Sequence, residues 1–254
     1  AVLPADAARA IADRYLALLA PEAAAAPLDA DPAALLTPLG PLLAEVAAEQ
    51  PGRLAFAPVT GDDVLPTDPT APHPSRVPLL AGWNRDEASA FRGADAIVTH
   101  ADALERWTGL SAAELAARHP GYPSPDVVEK LATELWFGEP TRALAAAHDG
   151  PTWLYRFDRA APGLRAVDLG ATHGVEAGYL FGNLGRGMWT WLAPDGPEPD
   201  DLATRDAVRT AWASLATTGS PGPGWPPPST GAVRRLSGDA ADVVAPDLMH
   251  EASS

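Results

Sequence analysis

Val77-Pro-Leu-Leu-Ala-Gly-Trp-Asn-Arg-Asp-Glu-Ala-Ser-Ala-Phe91 joins an apolar run to a polar, acidic one within fifteen residues. It opens with a short continuous apolar run, Val77 to Gly82, of the kind that fills the middle of a parallel sheet covered on both faces. Gly82 ends the run. Asn84 then stands where a helix cap belongs, and Asp86 and Glu87 put two carboxylates in the first turn, where the helix dipole favours negative charge. The stretch predicts a strand, a turn and a helix start.

Working outward, Thr152-Trp-Leu-Tyr-Arg-Phe157 follows Gly150-Pro151 and is rich in the aromatic residues that strands favour. A further strand is expected at Ala232 to Leu236, and another at Leu54 to Val59, closed by the turn Thr60-Gly-Asp-Asp63. A helix is predicted over Ala5 to Ala20, where Ala8, Ile11, Ala12, Tyr15, Leu16 and Leu19 recur at three- and four-residue spacing. Others are predicted over Pro32 to Glu49, Ser111 to His119 and Ser124 to His148, with Pro140 marking a break or kink in the last. A long helix is expected from Asp200 to Thr218, with Leu202, Ala207, Trp212 and Leu215 inward and Gly219 as its stop. Leu65 to Pro78 carries too much proline for regular structure, and much of Ser220 to Ser254 reads as a fraying tail. This order of helices and apolar strands predicts an α/β protein with a largely parallel sheet, without repeats or a strong domain boundary. Chemistry in such sheets sits beyond the carboxyl ends of the strands. That rule singles out Glu87, after the strand ending at Gly82, and His173, after the strand ending near Phe157.

Composition narrows the function classes. The 254 residues hold 18 Lys+Arg against 33 Asp+Glu, a net charge of −15, and the sole lysine is Lys130. Nucleic acid and anionic membranes are poor partners for such a chain, because phosphate binding draws on clustered cations. The chain has no cysteine, which removes disulfides, thiolate nucleophiles and zinc–thiolate sites together. Its six histidines are dispersed without ligand spacing, so neither a metal nor another cofactor is expected. No apolar run is long enough for a membrane span, and no basic head with an apolar run opens the chain, which favours a cytoplasmic location. The start at Ala1, without Met, leads to the expectation that either something has been removed from the front or the chain is a piece of a longer product.

Gly82-Trp-Asn-Arg-Asp-Glu-Ala88, followed by Gly170-Ala-Thr-His-Gly-Val-Glu176 and Tyr179-Leu-Phe-Gly-Asn183, resembles the type-B carboxylesterases, an α/β-hydrolase family that includes bacterial p-nitrobenzyl esterases and the cholinesterases. Phe56 to Pro66 is similar to that family's segment ahead of the acid, Thr152 to Asp158 to the strand before its histidine, and Trp212 to Trp225 to its late helix and exit turn. The resemblance implies a Ser-His-Glu ester hydrolase in which Glu87 is the acid and His173 the general base. Alpha/beta-hydrolases keep the chain order serine, acid, histidine, with the serine on a G-x-S-x-G elbow. No serine here has glycine both two before and two after it, and no glycine-rich oxyanion loop is present. The sequence therefore resembles the C-terminal half of such an enzyme, one partial domain over 1–254 that lacks the nucleophile and the oxyanion hole. Ala88 stands where the family has glycine after the acid, and Ala177-Gly178 replaces a bulkier pair after Glu176.

Each assignment has a plainer reading beside it. Taken alone, Glu87 is also a carboxylate complementing a helix dipole, as Asp86 is. His173 alone is a loop histidine, like His73, His100, His119, His148 and His250. Glu176 reads as a structural hydrogen-bonding carboxylate near the site. Trp189 and Trp191 read either as the lining of an ester pocket or as packing anchors. The substrate expected is a small-molecule ester, and the isolated chain is expected to be inactive. The alternative is a non-catalytic binding or interaction module derived from the same fold. A lyase or isomerase using the pair without a serine has no support beyond the pair itself. Half of a covered sheet would expose a strand edge, so the expected partners are the missing N-terminal half or a second copy joined through that edge, with poor solubility as the other outcome.

Overall fold

The computed structural model describes residues 2–72, 75–92, 100–226, 230–238 and 243–244. His73, His250 and the last part of the expected tail lie outside the described residues. By its contacts the chain divides into two units, Ala1–Asp68 with Phe91–Ala132, and Pro69–Ala90 with Thr133–Ser254.

In the first unit β1 (Leu3–Pro4) leads into α1 (Ala5–Leu18), α2 (Pro21–Ala25), α3 (Pro32–Leu36) and α4 (Leu39–Glu49), and the chain returns as β2 (Val59–Thr60), parallel to β1. Ile11 from α1 meets Leu42 and Val46 from α4 with Leu3 and Ala55, and Tyr15 packs against the cluster, so the three- and four-residue spacing marked the buried stripe. Leu16, expected on that stripe, is instead exposed. The helix expected over Pro32 to Glu49 is two helices, parted at Thr37-Pro38 because Pro38 has no N–H to continue the ladder. The strand expected at Leu54 to Val59 reduces to Val59–Thr60, with Pro58 interrupting the donors just before it. The turn after it forms as read: Asp62 Oδ1 accepts from Val64 N at 2.9 Å and from Leu65 N at 2.6 Å. α5 (Ala101–Thr108), α6 (Ala112–Arg118) and α7 (Pro125–Thr133) follow. α6 starts on a capping box between Ser111 and Glu114. α5 was not expected, being short and built from mixed polar and apolar residues.

The second unit is built on a sheet in the order β3 (Leu79–Asn84), β4 (Thr152–Phe157), β5 (Val233–Leu236) and β6 (Val243–Val244). β3, β4 and β5 are parallel, and β6 runs antiparallel to β5. β3 lies two residues later than the apolar run suggested, and it passes through Gly82 instead of stopping there. The aromatic ring and carbonyl of Tyr155 on β4 cover Gly82 so closely that a Cβ would collide with both. After β3 the chain makes a 3-10 turn, Glu87–Phe91, rather than the expected α-helix. The helix expected over Ser124 to His148 is α7, a π-helical turn at Glu134–Gly138, and α8 (Glu139–Ala147). Pro140 explains the widening: its ring would clash with the carbonyl of residue 136, inside that turn. α9 (Pro162–Ala166), α10 (Val175–Leu180), a 3-10 turn at Gly187–Leu192 and α11 (Pro199–Thr218) complete the unit, with Gly219 left-handed at the end of α11. Phe157, Leu164, Val175, Tyr179, Leu192 and Val208 form the core beside β4.

α11 corrects the expected inward face. Asp201, Thr204, Val208 and Ala211 are buried, while Ala207 is exposed. Asp201 goes inside because its charge is met there. Its Oδ1 accepts from Arg159 Nε at 2.6 Å and from the Tyr179 hydroxyl at 2.8 Å, and its Oδ2 from Glu198 N at 2.9 Å.

Candidate active site

β3 and β4 stay in register to their last residues, Asn84 opposite Phe157, so the loops that leave them start side by side. The pairing carries on past the sheet. Arg85 N donates to Phe157 O at 2.9 Å, Asp86 N to Ala171 O at 3.1 Å, and Ala171 N to Asp86 Oδ2 at 2.7 Å. Gly170, at φ 62°, makes this possible, because a side chain there would be strained and would strike the Asp86 carboxylate. The buried Ser89 hydroxyl adds a strap, lying 2.6 Å from Leu169 O and 2.7 Å from Thr172 Oγ1.

The result is that Glu87 Oε2 lies 2.7 Å from His173 Nδ1. The carboxylate is buried and its Oε1 accepts from Asn84 N at 2.7 Å, so both oxygens are held. The imidazole is different: its side chain is 51% exposed. The hydrogen bond to the Glu87 carboxylate raises the His173 pKa above its usual value; partial burial opposes the rise, and the charges of Glu87 and Glu176 add to it. Phe137, on the π-helical turn, lies against the imidazole with ring centroids 5.2 Å apart.

Asn84 is a link that sequence reasoning assigned wrongly. It is the last residue of β3, and its side chain does not cap a helix. Its Nδ2 donates to Thr172 O at 2.9 Å and to Glu176 Oε2 at 2.6 Å, joining the acid loop to the histidine loop from below. Glu176 thus stands on α10 as the acceptor of an Asn84 hydrogen bond. Tyr155, half-buried on β4, has its pKa raised by desolvation first and by Glu176 and Glu87 after that. Phe137 went unmarked in the sequence, where the only signal was the break at Pro140 beside it.

The tryptophans sit differently. The Trp189 ring packs toward Gly178 and the core around Tyr179, and the Trp191 backbone carbonyl covers Gly163 while its side chain is half exposed. These contacts tie the two residues to α9 and α10, and the 3-10 turn takes no part in joining Glu87 to His173. Among the described residues no group of three or more His, Asp or Glu side chains is placed to hold a metal ion.

No family model matches the chain. A para-nitrobenzyl esterase of Bacillus subtilis (strain 168) is 32% identical over 183 residues, which is 66% of this chain and 36% of the relative. The chain resembles a type-B carboxylesterase. A fumonisin B1 esterase of Sphingopyxis macrogoltabida is 30% identical over 166 residues, 59% of this chain and 30% of the relative. Among solved structures, a thermophilic PNB esterase superposes with a TM-score of 0.68 at 25% identity, covering 96% of this chain and 52% of that one. Another PNB esterase gives 0.66 at 25% identity, covering 93% and 51%. The fold is that of the α/β-hydrolases, and the chain spans about half the length of these solved esterases.

Proposed function

We propose that the chain supplies the acid and the base of a serine-hydrolase mechanism for carboxylic esters, as the later half of a type-B carboxylesterase. The observation that carries this reading is the buried Glu87 carboxylate hydrogen-bonded at 2.7 Å to Nδ1 of a half-exposed imidazole, on loops beyond two adjacent parallel strands. A carboxylate on Nδ1 fixes the tautomer that presents Nε2 as the base. His173 Nε2 would take the proton of a serine hydroxyl as its oxygen attacks the acyl carbon. The imidazolium, stabilised by Glu87, would then return that proton to the departing alcohol, leaving an acyl-serine. Water activated by the same nitrogen would release the acid. No serine of this sequence stands on a G-x-S-x-G elbow, so nucleophile and oxyanion donors are assigned to residues outside this sequence.

The reading predicts that the purified chain does not hydrolyse p-nitrophenyl acetate beyond the buffer rate at neutral pH. Losing the nucleophile alone costs on the order of a millionfold in turnover in a well-studied protease. A fluorophosphonate probe should label no serine. Turnover abolished by His173→Ala, or labelling of a serine in this chain, would overturn the assignment of the nucleophile elsewhere.

A further inference from the structure

We infer that Arg142 is a positioning residue for the Glu87–His173 pair, clamping the strand that carries the carboxylate to the turn that backs the imidazole. The inference rests on reading that pair as acid and base. Arg142 lies in the first turns of α8, and its Nη2 forms an ion pair with Glu134 Oε2. Glu134 is buried at the start of the π-helical turn, with its carboxylate folded against Gly138, where any side chain would collide with it. Three residues along, the same turn presents Phe137 to the His173 ring. On its other side the Arg142 guanidinium stacks over Trp83, 5.0 Å from the ring centroid. Trp83 is only 2% exposed and directly precedes Asn84, whose N–H holds Glu87. One planar cation thus touches both arms of the pair.

The cluster is a costly way to gain stability. Withdrawing a charged pair from water costs free energy that its own attraction does not always recover, and an apolar pair of similar volume often packs as well. Trp83 Nε1 and Arg142 Nη1 are buried without a hydrogen-bond partner among the described residues, which adds to that cost. What an apolar pair would not supply is direction: a planar fork locked to Glu134 at one edge and to an indole face at the other.

The test is a 13C-histidine NMR titration of the whole chain, with the His173 signal assigned by His173→Gln. Among the groups facing that ring are Glu87, Glu176 and the uncharged Phe137. Arg142→Met separates two effects by sign. Loss of a nearby positive charge, with Glu134 left unneutralised, would raise the His173 pKa. A loosened Glu87 contact would lower it, and that fall is the expected result, by about half a pH unit or more against a full range near one unit for ordinary environments. The Nδ1–H resonance should also lose its protection from solvent exchange. Arg142→Lys keeps the charge without the planar fork and should give a smaller fall; it decides the matter on the same criteria if Arg142→Met does not fold. A folded variant with an unchanged or higher His173 pKa and an unchanged Nδ1–H signal would overturn the inference. Glu87→Gln run in parallel tests the pair itself: if it leaves His173 unmoved, the acid–base reading fails, whatever Arg142 does.

Discussion

Glu87 is held at both oxygens and His173 at one nitrogen, so the pair is rigid on the acid side and reachable on the base side. Glu87→Gln should bring the His173 pKa back down toward 6.5, read by NMR titration. The sign also sets pH dependence. A histidine whose folded pKa is raised adds stability that is full below its unfolded value, near pH 6.5, and is lost as pH rises through the folded value. Because the ring is half exposed, solvent screening keeps that contribution small. For catalysis the neutral form is needed, so activity resting on this pair should rise with pH through the His173 value, not through 6.5. Asn84→Ala should cost about 1–3 kcal/mol in urea unfolding, because it strips Thr172 O and the Glu176 carboxylate of a buried donor. Glu87 and His173 were legible as residues after strand ends. Asn84 was not, because a side chain that reaches 92 positions along the chain leaves no local pattern.

At the scale of elements, α11 is pinned by a charge network that no periodicity displays. Burial lowers the Arg159 pKa, but Asp201 and then Tyr179 and Glu198 more than offset it, and the net direction is upward. Burial and then Asp201 raise the Tyr179 pKa. Asp201→Ala would leave Arg159 paired only with Glu198 and Asp200 and the Tyr179 hydroxyl without its acceptor, and should cost about 1–3 kcal/mol in chemical denaturation. Gly82→Ala forces a Cβ into Tyr155 and should cost about 1–3 kcal/mol, with β3 and β4 pushed apart. The strand Thr152 to Phe157 and the stop at Gly219 were legible, since aromatic content and a left-handed glycine act locally. The inward face of α11 was read only in part: Trp212 packs against the core as expected, but hydrophobicity ranks Asp201 outside, and only its partners bring it in. The π-helical turn was foreseen only as a break at Pro140.

For the whole molecule, a charge of −15 means self-repulsion in the folded state, which salt screens. The melting temperature should therefore rise between about 0.01 M and 0.15 M sodium chloride, where the Debye length shortens from about 30 Å to about 8 Å. Phe181, Met188 and Trp191 are exposed at 69%, 79% and 52%, and a chain spanning half the length of its solved relatives is expected to self-associate through apolar surface. Size-exclusion chromatography with light scattering should show dimers or larger species; a sharp monomer peak would count against this. The parallel α/β class, the strand at Thr152 to Phe157, and Glu87 and His173 as candidates were all legible in the order of residues. Each rests on a run of neighbouring residues, and backbone geometry repeats over such runs. Only the tertiary structure decided that Glu87 and His173 meet at 2.7 Å, that Asn84 joins their loops, and that Phe137 and Arg142 stand behind them. Those contacts join segments far apart in the chain, where the register of β3 on β4 sets what touches what.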